Sequence, residues 1–267
     1  MEKFDNSIEA YKHGAWEFSI RERNFKVGVT GSRQPTHLLR SFFLEEEMRN
    51  EWWQIQPGDI VIDVGAAYGS YTLSAIALGA KLVIAYEPSR NEFFDLHSNL
   101  LLNSFLNRCV VINTMAGNES WGVAEHWHNE FDCPGESWEY RRVFSIDALI
   151  KWLASIDQLN WIKIDTEGAE FAVLEGAKET IQRFHPKIIT ENHLEIDPMA
   201  RNNVCEFLKP LGYMESHRSI PGGANEDWSL FQHQDDPKKI ETDIEKEYEP
   251  PKGGYQFGPN KELEIVT

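Results

Sequence analysis

The chain has 267 residues, of which 41% are hydrophobic and 26% charged. That balance excludes wholesale disorder, and the length suits one large α/β domain or two small ones. Lys and Arg total 26 against 43 Asp and Glu, a net charge of −17, which argues against a non-specific nucleic-acid binder.

Residues 1–56 read as an N-terminal extension. MEKFDNSIEA has neither the basic start nor the apolar stretch of a signal peptide. The runs WEFSI and FKVGV flank a polar turn and predict a β-hairpin. After Pro35, the apolar positions Leu38, Leu39, Phe42 and Phe43 predict a helix continuing through EEEMRNEWW, and QPGD then marks a turn.

Residues 57–234 carry a repeated strand–helix pattern. IVIDV, KLVIAYEP, CVVINTM, WIKID and KIITENH read as short buried strands. GSYTLSAIALG reads as a helix closed by glycine, and NEFFDLHSNLLLN as a second helix with Asn91 as its N-cap. FAVLEGAKETIQRF has Phe171, Leu174, Ala177, Ile181 and Phe184 on one face and predicts one continuous helix. Asp197 and Pro198 open another, with Val204, Phe207, Leu208 and Leu211 on its inner face. GYMESHRS and WSLFQHQ complete seven strands as an antiparallel edge. Alternating strands and helices imply a mainly parallel sheet with helices on both faces, and ligands then bind at the carboxyl ends of the strands.

Two segments depart from this pattern. Residues 117–145 form an insertion rich in Trp, His and Glu. Residues 235–267 are acidic and Pro/Gly-containing, which predicts a mobile or surface-laid tail. The three cysteines, Cys109, Cys133 and Cys205, include no CxxC pair. With no apolar run suited to a bilayer, they predict a reduced, cytoplasmic protein without a membrane segment.

The sharpest motif is VIDVGAAYGSYT (61–72), a strand that enters a tight turn and then a helix. Gly65 and Gly69 permit close backbone approach, and Glu87 at the end of the next strand can accept both hydroxyls of a ribose. Such a pair serves either a nicotinamide dinucleotide or S-adenosylmethionine (SAM). The GxxxG spacing, and Asp63 two residues before the first glycine, suit a ligand with an ammonium and a sulfonium better than a diphosphate.

PGDIVIDVGAAYGSYT, YEPSRNEFFDLHSNLLLN, SIDAL, WIKIDTEGAEFAVLEGA and HPKIITENHLE together resemble the FkbM family of SAM-dependent methyltransferases, over residues 45–215. The resemblance implies a Rossmann-like class I methyltransferase fold with SAM across the strand tips. Asp63, Gly65, Ala66, Ala67, Tyr68 and Gly69 would face the methionine part, Glu87 and Pro88 the ribose, and Met115 and Ala116 the adenine. Ala67 stands where the family often has Asn. The family's link to sugars and natural products implies O-methylation of a small-molecule or glycan acceptor. The alternatives are an N- or nucleic-acid methyltransferase, against which the negative charge argues so that no nucleic-acid partner is expected, and an inactive SAM-binding protein.

Methyl transfer to a hydroxyl needs alignment and a route for the proton. The candidates lie at two strand ends: Asp165, Glu167 and Glu170, then Glu191, Asn192 and His193. His193 titrates closest to neutral pH and is the expected base, with Lys163, Asp165 and Glu191 assisting. Asp165, also a cofactor-binding candidate, could hold Mg²⁺ or another divalent cation together with Glu191 and Asn192. Hydrogen bonding of both acids to loop backbone or cofactor is the competing expectation. His126, His128 and Cys133 make a weaker zinc candidate. The nearby Trp121, Trp127, Trp138 and Tyr140 fit either an aromatic lid over the acceptor or plain packing.

Overall fold

The structure, a computed structural model, describes residues 15–28, 45–128, 137–220, 226–241, 255–257 and 263–265. The first stretch is the expected hairpin, β1 (Trp16–Ile20) paired antiparallel with β2 (Arg23–Val27). Arg21 and Glu22 turn it with φ of 45° and 65°, the left-handed pair that matches strand twist in a two-residue hairpin. A short helix α1 (Glu46–Trp52) follows. Residues 35–44, the expected beginning of that helix, lie outside the described residues.

The centre is a seven-stranded sheet. Its strands are β3 (Ile60–Val64), β4 (Leu82–Tyr86), β5 (Cys109–Ile112), β8 (Trp161–Ile164), β9 (Lys187–Glu191), β10 (Tyr213–Ile220) and β11 (Glu226–His233). Their spatial order is β10-β11-β9-β8-β3-β4-β5. The five strands from β9 to β5 run parallel, and the antiparallel pair β10–β11 closes one side. The helices are α2 (Ser70–Leu78), α3 (Arg90–Leu102), α4 (Ile146–Trp152), α5 (Glu170–Glu175), α6 (Lys178–Phe184) and α7 (Ala200–Leu208). Period-two alternation splits the core into two layers. Ile60, Ile62 and Val64 of β3 join Ile146, Leu174 and Val204 on one face of the sheet, whereas Val61 joins Leu73, Leu96 and Trp161 on the other. The second layer also takes Ile20, Phe25, Val27, Trp52 and Trp53, so the extension packs into the same core as α2 and α3.

Two expectations need correction. Asn91 does not cap α3. Ser89 occupies the N-cap position, in extended backbone and with no side-chain cap bond. The expected single helix over 171–184 is two, α5 and α6, parted at Gly176, where an added Cβ would sit 1.8 Å from the carbonyl oxygen of Gly117. The 117–145 insertion is in large part a second hairpin, β6 (Gly122–His128) with β7 (Ser137–Val143). His126 and His128 fall on β6, and Cys133 lies outside the described residues. The first residues of the tail, 235–241, lie against the domain: Ile240 is buried, its N–H donates to the Gln232 side chain and its carbonyl accepts from it. Further along, β12 (Tyr255–Phe257) pairs with β13 (Leu263–Ile265). Among the described residues no helix is long and apolar enough to cross a membrane.

Ser145 gives α4 a side-chain N-cap, its Oγ accepting from the Ala148 N–H at 3.2 Å. Losing such a cap costs about 1 kcal/mol. Ser145→Ala is therefore expected to lower stability by about that amount in denaturant titration, with the unfolding slope unchanged.

Candidate active site

The turn between β3 and α2 is built by long-range contacts. The N–H groups of Gly65 and Ala66 both donate to the carbonyl of Tyr86 at 3.0 Å. Gly65 has φ 71°, and its missing Cβ leaves room for the carbonyl oxygen of Asp165, which would lie 1.7 Å from a methyl there. The turn after β3 and the turn after β8 are thus in backbone contact. Ala67, with φ 48°, donates its N–H to Glu87 Oε2 at 2.8 Å, and Ser89 donates to Glu87 Oε1 at 2.7 Å. Glu87 is buried and ties the tip of β4 to the glycine turn. Asn113 donates to the Glu87 carbonyl at 2.8 Å. Pro88 is half-buried beside it.

Tyr68 is buried, and its carbonyl accepts from Asn99 of α3 at 2.9 Å. The loop beyond β5 is clamped by the insertion. The Met115 N–H donates to the Arg142 carbonyl, and Phe144 donates to the Met115 carbonyl. Ala116 is buried next to this clamp. Trp121 stacks on Phe144 with centroids 4.6 Å apart but is 68% exposed, so one of its faces is open.

Beneath the glycine turn lies a buried charge network. Asp63 Oδ2 accepts from Thr72 Oγ1 at 2.6 Å, and Asp63 Oδ1 lies 3.6 Å from Lys163 Nζ. Lys163 donates to the Gly65 carbonyl at 2.8 Å and to Asp165 Oδ2 at 3.1 Å, with Tyr71 as a ring wall. Burial opposes the Lys163 charge, but Asp165 and Asp63 outweigh it and raise the pKa. Burial is the largest influence on Asp63 and raises its pKa. Asp63 and Lys163 thus act from below the turn, sealed from solvent. That replaces the direct ligand contact expected of Asp63. The network continues into the extension, where Glu45 accepts from Tyr71 at 2.7 Å and from Arg49 at 3.1 Å. Sequence reasoning missed Glu45, because nothing local marks a contact with α2.

The tips of β8 and β9 carry the second group. Asp165, Glu191 and His193 each offer an atom within 4.8 Å of the others. His193 is 4% exposed, and its Nδ1 bonds to Glu170 Oε1 at 3.0 Å. The same Glu170 oxygen accepts from the Thr166 and Gly168 N–H groups and from Thr166 Oγ1, each at 3.1 Å. This ring closes the DTEGAE loop and fixes Glu167 at φ 54°.

Burial alone would lower the His193 pKa. The Glu170 hydrogen bond, with Asp165 and Glu167, overrides it and raises the value to about 9. A ring held this way keeps its proton to higher pH than a free imidazole, which weighs against the general-base role expected of His193. Asp165 is held low: burial pushes it up, but Lys163 and His193 outweigh that.

Asn192 points elsewhere. Its Nδ2 donates to Asp227 Oδ1 at 2.9 Å and to Ser229 Oγ at 3.0 Å, in β11. The cation set expected from sequence, Asp165 with Glu191 and Asn192, is not assembled. Strand alternation carried that signal, since 191 and 193 share a face and 192 takes the other.

The fold and site define a Rossmann-like α/β protein with a glycine turn, a partner acid and a carboxylate–histidine cluster at the carboxyl ends of its strands. The sequence profile described as the methyltransferase FkbM domain matches residues 63–215, and the chain belongs to that family. A solved methyltransferase FkbM from Methylobacillus flagellatus KT superposes with a TM-score of 0.51 at 22% identity, covering 67% of this chain and 44% of that one. The chain thus spans less than half of that relative. A precorrin-6y C5,15-methyltransferase from Geobacter metallireducens GS-15 gives a TM-score of 0.45 at 13% identity, covering 78% and 93% of the two chains. TYW2 of M. jannaschii, solved in complex with AdoMet, gives 0.41 at 12% identity, covering 82% and 87%. No functionally curated protein matches the sequence.

Proposed function

We propose that the chain is a SAM-dependent methyltransferase acting on a hydroxyl of a small polar acceptor, a sugar or glycan in the first instance. The observation that carries this reading is the glycine turn tied to Glu87 and in backbone contact with the acidic tip of β8. The donor set fits the cofactor. Residues 65–69 carry no basic side chain to meet a diphosphate, and the cation beside them, Lys163, is buried beneath the turn and held by Asp63 and Asp165. Such surroundings favour a ribose and a cationic sulfonium over a dinucleotide.

In this reading the turn 65–69 holds the methionine part, Glu87 and Pro88 the ribose, and Met115 and Ala116 the adenine. The bound cofactor supplies an electrophilic methyl group. The chain's own part is to align the acceptor, exclude water and take the acceptor proton. Glu191, at the β9 tip, is placed to receive that proton, and His193 to balance the carboxylates around it. The exposed face of Trp121 suits the apolar face of a sugar ring. The net charge of −17 supports an acceptor that is not a polyanion.

Thermal unfolding with SAM and with S-adenosylhomocysteine tests the cofactor assignment. At about 100 times the dissociation constant, linkage gives about 2.7 kcal/mol, a rise in Tm of about 5–10 °C for a chain of this size. The shift is expected in the wild type and expected to collapse in Glu87→Ala. A folded wild type that shifts with neither ligand would remove the cofactor, and with it the methyltransferase reading.

A further inference from the structure

His193 presents an unusual arrangement at its outer nitrogen. Nδ1 is bonded to Glu170, but Nε2 makes no hydrogen bond among the described residues, although the side chain is only 5% exposed. Three carboxylates surround Nε2 just beyond bonding distance: Glu167 Oε2 at 3.6 Å, Asp165 Oδ1 at 3.7 Å and Glu191 Oε2 at 4.0 Å. An imidazolium pairing with any one of them would close to about 2.8 Å. Near-equal separations of this size are instead those of atoms arranged around a common centre, since ligands about 2.1 Å from a cation lie roughly 3–4 Å apart.

Three further features agree. Asp165 and Glu191 each bring a carboxylate oxygen within 4.8 Å of the other, and two carboxylates that close are stabilised by a proton or cation between them. Lys163 is not available for that role, being committed to the Gly65 carbonyl, Asp63 and the other Asp165 oxygen. Glu170 holds Nδ1 as outer partners hold a metal-bound imidazole, fixing the ring with Nε2 directed inward. Glu170 is in turn fastened by three donors from Thr166 and Gly168, so the support is rigid.

We propose that Asp165, Glu191 and His193 form a site for one divalent transition cation, of the Mn²⁺ kind, with an open position for the acceptor oxygen. A cation there takes the place of the ring proton as the partner of the surrounding carboxylates. One imidazole nitrogen and two carboxylates favour Mn²⁺ or a similar ion over Mg²⁺ or Ca²⁺, which prefer oxygen alone. A coordinated hydroxyl loses its proton more readily, which would ease its transfer to a free carboxylate oxygen of Glu191. The catalytic use of the ion rests on the methyltransferase reading; the binding site does not.

The test uses the whole chain, stripped with chelator and then freed of it. Mn²⁺ is titrated in and followed by the loss of the free-ion electron paramagnetic resonance signal. One saturable site per chain is expected. Glu191→Gln, a partly exposed and isosteric change, is expected to weaken it at least 10-fold, and His193→Gln likewise. Circular dichroism and the SAM-induced thermal shift, read on the same samples, report folding and the cofactor site separately. Absence of saturable binding to a folded wild type overturns the proposal, as does binding left unchanged by Glu191→Gln. A SAM shift without Mn²⁺ binding defeats the cation site alone. Mn²⁺ binding without a SAM shift upholds the cation site and removes the cofactor.

Discussion

Gly65→Ala is expected to cost about 4 kcal/mol or more, the range reserved for severe steric or buried-charge lesions. Two effects combine. The residue sits at φ 71°, where an L side chain is strained by about 1–2 kcal/mol. The new methyl would also lie 1.7 Å from the Asp165 carbonyl oxygen and 2.9 Å from its carbon. Both are backbone atoms at the centre of the sheet, so no side chain can rotate away. Gly58→Ala separates the two effects, because Gly58 has φ 97° with nothing within 4 Å of an added Cβ. Denaturant titration should place that variant about 1 kcal/mol below wild type. Equal losses in the two variants would show that the backbone contact between the β3 and β8 turns is not what makes Gly65 necessary.

Lys163→Met is the second large effect. It removes the only cation that Asp63 meets among the described residues and leaves the buried Asp63 and the partly exposed Asp165 carboxylates facing a thioether. Removing one partner of a buried ionic group costs about 3–5 kcal/mol. Most of that is the stranded charge of Asp63, which is fully buried, rather than attraction lost. The Asp63→Asn/Lys163→Met double variant should therefore be more stable than Lys163→Met alone, which the double-mutant cycle measures directly. A double variant as unstable as the sum of the singles would mean that Lys163 acts chiefly through the Gly65 carbonyl.

Local periodicity explains why so much of the fold is legible in the sequence. IVIDV and WIKI are buried along their whole length and LVIAY from its second residue on, and a short apolar run between turns admits little else in a parallel sheet. WEFSI and FKVGV declare their hairpin in the same way. What was hidden depends on residues far apart in the chain. Nothing between 170 and 184 says that Gly176 will meet Gly117. Nothing near Asn91 says that Glu87 will accept the Ser89 N–H and start the helix earlier. At the site, the glycine turn and Glu87 were visible because their spacing is local. The Glu45–Tyr71–Lys163 network was not, because it joins the extension, α2 and β8. The direction of Asn192 was recoverable from alternation, but a motif read as a string ignores which face each residue takes.

Ala67 and Glu167 are both non-glycine residues held at positive φ, one in each of the loops that meet at the strand tips. Each conformation is maintained from outside, Ala67 by Glu87 and the 165–168 loop by Glu170. Asn or Gly would adopt either conformation with about 1 kcal/mol less strain. For protein engineering this divides the positive-φ sites in two: Arg21, Glu22, Ser104 and His185 lie away from the proposed cofactor site, whereas Ala67 and Glu167 lie in the loops assigned to it. A consensus or thermostability screen scored on melting temperature alone would not tell the two groups apart, and would alter the strand-tip loops as readily as the scaffold.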